Sequence, residues 1–303
     1  MKHGAGGMAM PLQAGGFSFG ELLVYLGRNA SELLHEVDAE RRTVTKLIPV
    51  EGAVVLATLS DEAGQPVLSF PEGEPDDGAA SAAAAYVAEW LDLKRDLRPF
   101  YDMADADPIL GSIVPRYRGL RLIGVPDLFE ALVWSIIGQQ ISLHVAYLLK
   151  RRFVEAYGTS VQSGGRRYWL FPEPERLAES DPDELVGLKF TRRKAEYVVG
   201  VARMIADGAV SKAGLAECCD LDEMEKRLTS IRGIGSWSAN YAIMRCLRHP
   251  DAFPAADVGL HNALKRALGM ERKPTVPEVL ATGKAWTGWR AYATFYLWRS
   301  LLP

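Results

Sequence analysis

The chain has 303 residues, 35 Lys and Arg against 38 Asp and Glu, and a formal net charge of −3. That length accommodates two domains, and 48% apolar with 24% charged residues builds a full core. This composition excludes a disordered, collagen-like or disulfide-dense chain, and its balance lacks the basic excess usual for nucleic-acid binders. The charge is nevertheless split: residues 1–100 hold 8 basic and 15 acidic side chains, and residues 101–303 hold 27 and 23.

Residues 1–16 read as a flexible tail, because Gly, Pro and Gln interrupt what would be the apolar core of a signal peptide. From 17 to 70, short apolar runs at 21–26, 32–37, 41–48, 53–59 and 66–70 alternate with turn residues. That spacing predicts an antiparallel sheet. The Pro/Gly/acidic stretch 71–78 closes a β-rich domain spanning 17–78. Alanine-rich residues 79–97 predict a helix by propensity, and helical patterns continue to the end, so 79–303 form a helical domain.

In that domain Phe129, Leu132, Val133, Ile136 and Ile137 share one helix face, with Asp127 as the expected N-cap. A second helix covers 142–158. Residues 131–149 carry no charge, yet Gly138, Gln139, Gln140, Ser142 and His144 would sit inside any membrane span, at high cost. A buried helix pair with a polar joint is expected, in a soluble, cytoplasmic chain that contacts no membrane. Further helices are predicted at 181–188, 191–208, 221–231, 236–247, 257–269 and 289–302. The three cysteines, Cys218, Cys219 and Cys246, form no disulfide framework, zinc pattern or iron–sulfur ligand set.

The most specific stretch is Leu228-Thr229-Ser230-Ile231-Arg232-Gly233-Ile234-Gly235-Ser236-Trp237-Ser238-Ala239. Two glycines around one apolar residue permit a tight helix–hairpin–helix turn. Ile234 would plug the groove, Ser236 would cap the second helix, and the exposed amides would suit a phosphate. A helix turn without a ligand uses the same residues. Downstream, Asp257 stands at the start of a helix, where an N-cap carboxylate is favoured by the macrodipole.

Together these residues resemble the helix–hairpin–helix DNA glycosylases, closest to the 3-methyladenine DNA glycosylase II branch. Ile136-Ile137-Gly138-Gln139-Gln140-Ile141-Ser142, Gly187-Leu188 with Arg193-Lys194-Ala195-Glu196-Tyr197, and Trp289-Arg290-Ala291-Tyr292-Ala293 resemble three further segments of that branch. The resemblance covers about residues 110–303. It implies an α+β protein: a small N-terminal antiparallel sheet followed by an all-helical glycosylase domain.

The resemblance implies base excision of alkylated purines, such as 3-methyladenine and 7-methylguanine, from double-stranded DNA. It implies a monomer with no cofactor, and no metal beyond a monovalent cation at the hairpin carbonyls. The position occupied by a nucleophilic Lys in bifunctional members is Trp237 here, which cannot form a Schiff base, so an abasic product without strand cleavage is expected. Asp257 is the catalytic candidate, stabilising an oxocarbenium-like transition state. Gly233, Ile234, Gly235, Ser236, Gln139 and Gln140 are the DNA-binding candidates, with Gln140 at the wedge position.

Tyr241, Trp298, Trp237 and Trp134 are candidates for an aromatic base pocket, although core packing would use the same residues. His261 lies one turn beyond Asp257, and a surface role is its simpler reading. Arg151-Arg152, Arg192-Arg193-Lys194 and Arg245/Arg248 are the candidate cationic clusters, predicting about 3–5 phosphate contacts. A non-enzymatic DNA-binding hairpin protein and a glycosylase for oxidised or deaminated bases remain alternatives.

Overall fold

The computed structural model describes residues 10–12, 15–218 and 220–303; Cys219 and, of the expected tail, residues 1–9 and 13–14 lie outside the described residues. The front of the chain runs β1 (Met10–Pro11), α1 (Phe19–Leu26), β2 (Glu36–Asp38), β3 (Thr43–Val50), β4 (Ala53–Glu62) and β5 (Gln65–Ser69). The strands form one antiparallel sheet in the order β1-β5-β4-β3-β2. A two-residue turn, Ala63-Gly64, joins β4 to β5 with both residues at positive φ, matching the twist of a tight hairpin.

Three expectations for this region are corrected. Residues 21–26 form helix rather than strand. Ser18 caps it, its Oγ accepting from Glu21 N at 3.3 Å, and Phe19, Leu22, Leu23 and Leu26 bury one helical face. A short apolar run fits both periods, and here the cap and the 3.6-residue spacing prevail. The run at 32–37 contributes strand only from Glu36. Residues 10–12 are not free tail: Met10 and Pro11 pair with Leu68 and Val67, and Leu12 is buried.

The back of the chain runs α2 (Asp77–Trp90), α3 (Arg98–Ala106), α4 (Leu128–Gly138), α5 (Leu143–Tyr157), β6 (Ser160–Ser163), β7 (Arg166–Trp169), α6 (Pro174–Ala178) and α7 (Pro182–Gly187). It continues through α8 (Arg192–Ala206), α9 (Lys212–Ala216), α10 (Leu221–Thr229), α11 (Ser236–Ala242), α12 (Val258–Ala267), α13 (Val276–Gly283) and α14 (Arg290–Arg299). The fold is therefore α+β as expected, but the helical part is not purely helical, since β6 and β7 form a hairpin. Helix α2 stops at Trp90, short of residue 97, because Asp92 adopts φ 47°. No helix among the described residues is long and apolar enough to cross a membrane.

Sheet and helices share one continuous core. Helix α14 runs through its centre and is apolar nearly all round, with Tyr292, Phe295 and Tyr296 fully buried. Its polar tips are paired: Tyr292 Oη donates to Asp92 Oδ2 at 2.7 Å and Tyr296 Oη to the Leu120 carbonyl at 3.0 Å. Helix α1 packs on α14 through Tyr25 and Phe295, with ring centroids 4.6 Å apart, and through the Glu21–Arg299 ion pair.

Where sheet meets helices, Lys150 Nζ lies 3.1 Å from Glu32 and 3.0 Å from Glu130. Burial works against the Glu32 carboxylate, but Lys150 and His35 hold it well below its ordinary range. Burial pulls the neighbouring His35 down to about 4, and its Nε2–H donates to the Leu26 carbonyl at 3.1 Å. Unfolded His35 takes a proton near pH 6.5, whereas the folded chain resists until about pH 4. The His35 contribution to stability is thus full above pH 6.5 and is lost as pH falls toward 4, by about 1–2 kcal/mol at pH 5. Asp127, which burial raises to about 6, contributes with the opposite sign over this range. The effect is therefore read as the difference between wild type and His35→Gln in urea titrations at pH 7 and 5; an identical change with pH in both proteins would contradict it.

Candidate active site

The hairpin joins α10 to α11. Gly233 takes φ +98°, and a Cβ there would stand 2.3 Å from Tyr197 Cγ, so the loop closes against that ring. Ile234 is buried between the helices, as expected. Gly235 and Ser236 are exposed. One expectation changes: Gly235, not Ser236, is the N-cap, and it supplies no side-chain cap. Ser236 Oγ instead donates to Glu225 of α10 at 2.5 Å, tying the two helices together.

Asp257 is the N-cap of α12, and its carboxylate collects three N–H donors. Oδ1 accepts from Leu260 N at 2.7 Å and from Trp298 Nε1 at 2.8 Å; Oδ2 accepts from Trp237 Nε1 at 3.0 Å. Two indoles, one from α11 and one from α14, therefore fix the orientation of the carboxylate. Gly259 makes room for this, since a Cβ there would come within 2.9 Å of Asp257 Oδ1 and 3.2 Å of the Trp298 ring. Asn240 sets the approach of the loop: its Oδ1 accepts from Phe253 N at 3.0 Å and its Nδ2 donates to the Ser236 carbonyl at 3.1 Å. His261 Nε2–H donates to the Ala255 carbonyl at 2.8 Å, so it braces the loop rather than the carboxylate.

Three of the four pocket candidates form a row. Tyr241 lies 5.8 Å from Trp237 and 6.3 Å from Trp298, centroid to centroid. Burial raises the Tyr241 phenol well above its ordinary pKa, and its oxygen accepts from Arg245 Nη1 at 3.1 Å. Behind Tyr241 lies a cavity of about 50 Å³, with Trp134, Tyr25, Tyr147, Arg28 and Arg245 also in its walls. Trp134 packs against Tyr147, ring centroids 4.8 Å apart and planes inclined by 55°. Sequence reasoning missed Tyr25, Arg28 and Tyr147, as it missed Gly259 and Asn240. No periodicity links residues so distant along the chain.

The α4–α5 joint is fixed from two sides. Gln139 Nε2 donates to the Gly233 carbonyl at 2.9 Å and to Ser238 Oγ at 3.3 Å. Lys194 Nζ donates to the Ile137 and Gln139 carbonyls, both at 2.7 Å, and burial pulls this ammonium below its ordinary pKa. Gln139 thus faces the hairpin, and the adjacent Gln140 is exposed at φ 56°. The left-handed backbone turns Gln140 out at the tip of the joint, which costs about 1 kcal/mol for a non-glycine residue.

The expected cationic clusters are largely engaged inside the protein. Arg245 is buried, Lys194 serves the joint, and Arg248 pairs with Glu89 at 3.1 Å. Arg192 pairs with Asp183 and Glu196, and Arg151 with Glu155. Among the described residues no group of His, Cys, Asp and Glu is arranged to hold a metal ion.

A hairpin that exposes Gly235 and Ser236, set beside an oriented carboxylate and a row of aromatic rings, is the layout of a base-excision protein. The HhH-GPD superfamily of base excision DNA repair proteins matches residues 133–288, and the N-terminal domain of 8-oxoguanine DNA glycosylase matches residues 35–132. The chain belongs to the HhH-GPD superfamily. It is 43% identical over 290 residues to a DNA-3-methyladenine glycosylase of Bacillus subtilis (strain 168), covering 94% of each chain. In structure it resembles a 3-methyladenine DNA glycosylase from Archaeoglobus fulgidus, with a TM-score of 0.81, 23% identity and coverage of 96% of this chain and 97% of that one. The Clostridium acetobutylicum 8-oxoguanine glycosylase/lyase bound to double-stranded DNA shares the fold at a TM-score of 0.72, with 18% identity over 89% of this chain and 88% of that one.

Proposed function

We propose that this protein is a monofunctional DNA glycosylase that flips alkylated bases out of double-stranded DNA and hydrolyses their N-glycosidic bond, leaving an abasic site. The B. subtilis relative, named a DNA-3-methyladenine glycosylase, supports the alkylated-base substrate. The observation that carries the mechanism is Asp257, held by Trp237 and Trp298 at a helix start. As the base leaves, positive charge develops on the deoxyribose. A carboxylate already fixed in place stabilises that charge without reorganising. N3- or N7-methylated purines are cationic and leave readily, so the site needs no second acidic group as proton donor.

In this reading the hairpin amides around Gly233 and Gly235 hold the DNA backbone. Gln140, exposed at the joint, enters the space left by the flipped base. The sugar sits at Asp257 and the base projects past Trp237 and Trp298 toward Tyr241. Trp237 has two parts to its role: its ring belongs to the aromatic row, and its N–H orients the acid. It occupies the position where a lyase needs an amine, so no Schiff base forms.

Mass spectrometry of bases freed from methylated duplex DNA should detect 3-methyladenine and 7-methylguanine, and borohydride should trap no protein–DNA adduct. Tight DNA binding with no released base would favour the non-enzymatic reading, and a trapped adduct would refute the monofunctional one. Trp237→Phe keeps the ring and deletes the N–H on Asp257 Oδ2. It should slow single-turnover release by about 10- to 100-fold while leaving abasic-site affinity within about threefold. A rate near wild type would show that Trp237 acts only as a stacking surface.

A further inference from the structure

The cavity behind Tyr241 holds one cation whose donors are mostly unused. The Arg28 guanidinium lies 3.9 Å from the centroid of Tyr25 and 5.7 Å from that of Tyr147. Its Nη1 donates to the Tyr25 carbonyl, and among the described residues no carboxylate pairs with it. A guanidinium has five N–H donors and no acceptor. The other cations of this cavity are engaged: Lys150 with Glu32 and Glu130, Lys46 with the Leu34 carbonyl, and Arg245 with the Ile123 carbonyl and Tyr241. Arg28 thus brings unused donors into a polar space large enough for roughly four waters.

The position of that space matters. Tyr241 is both a wall of the cavity and the neighbour of the two indoles that hold Asp257. In the pose proposed above, with the sugar at Asp257 and the base directed toward Tyr241, the base edge farthest from the glycosidic bond is the one that faces this cavity wall. In a purine that edge carries the exocyclic 6-substituent. Guanine presents an oxygen acceptor there, and adenine an amino donor. A guanidinium accepts no hydrogen bond, so it rewards the first and opposes the second.

Resting on the glycosylase reading above, we propose that Arg28 is a specificity-determining residue that donates a hydrogen bond to the 6-oxygen of the flipped purine. It shifts release toward alkylated guanine and away from equally alkylated adenine. The repulsion between Arg28 and a cationic base does not mask this, because 3-methylguanine and 3-methyladenine carry the same charge and the same methylated position.

The experiment compares 3-methylguanine and 3-methyladenine released from one preparation of methylated DNA by wild type, Arg28→Met and Arg28→Lys. Because both bases come from the same reaction, their rate ratio is independent of the fraction of folded enzyme. Arg28→Met removes the donor and should lower the guanine-to-adenine ratio about tenfold, the effect of one charge-assisted hydrogen bond. Arg28→Lys keeps cationic N–H donors and, like Arg, has no acceptor, so it should hold the ratio within about threefold of wild type. An unchanged ratio in Arg28→Met would overturn the proposal. A fall of equal size in Arg28→Lys would overturn the hydrogen bond as its cause. Failure of the wild type to release any base would instead overturn the glycosylase reading on which it stands.

Discussion

Asp257→Asn should reduce release of 3-methyladenine by about 10³-fold or more, while binding to a duplex with an abasic-site analogue stays within about threefold. The reason is visible atom by atom. Asn is as good an N-cap as Asp, so the contact to Leu260 N and the start of α12 persist. Its oxygen can also keep the Trp298 indole. Its amide group would then face the Trp237 N–H, donor against donor, where Oδ2 now accepts at 3.0 Å. The fold is retained, the negative charge that the proposed mechanism places beside the sugar is gone, and the side chain loses its contact with Trp237. Single-turnover release, read by mass spectrometry, and fluorescence anisotropy on the abasic duplex separate the two effects. Release near the wild-type rate would remove Asp257 from the catalytic role.

The second large effect concerns two glycines that look equivalent in sequence. Gly233→Ala should destabilise the protein by about 2–4 kcal/mol and weaken DNA binding at least tenfold. Its φ of +98° disfavours any side chain, and the new methyl would fall on Tyr197, whose hydroxyl is anchored by Arg193. The Gly233 carbonyl also receives Gln139, so a shift in the hairpin loosens the α4–α5 joint. Gly235→Ala meets nothing within 4 Å, and its φ of −93° is ordinary. It should fold within about 0.5 kcal/mol of wild type and lose affinity through the methyl placed on the exposed hairpin surface. Thermal melts and DNA titrations of the two variants test this contrast; equal losses of stability would contradict it.

Part of this site was legible from residue order. Gly-Ile-Gly between two amphipathic stretches marks a tight helix turn, because glycine alone takes the required backbone freely. Asp257 before an apolar periodic run reads as a cap, and the structure places it there. Helices α5, α8, α10, α12 and α14 fell close to their expected bounds, since their caps and periods are local signals. Helix α1 did not, because eight residues with a mixed pattern satisfy strand and helix alike. The cationic clusters read as phosphate ligands, yet Lys194, Arg245 and Arg248 are engaged by partners far along the chain, and Arg151 and Arg192 by nearby carboxylates.

By itself, then, the order of residues determined the α+β class, the helix–hairpin–helix turn, the acid at a helix start and the absence of a lysine at position 237. Each of these depends on neighbours within a turn or two, where spacing and capping chemistry act directly. Tertiary structure decided the rest. Trp298, 41 residues from Asp257, and Trp237, 20 residues away, prove to hold its two oxygens with their N–H groups instead of serving only as stacking rings. Arg28, on the chain just after α1, meets Tyr147 of α5 in one cavity. Such pairings follow from how helices pack around α14, and hydrogen bonds made across a core leave no period in the sequence that makes them.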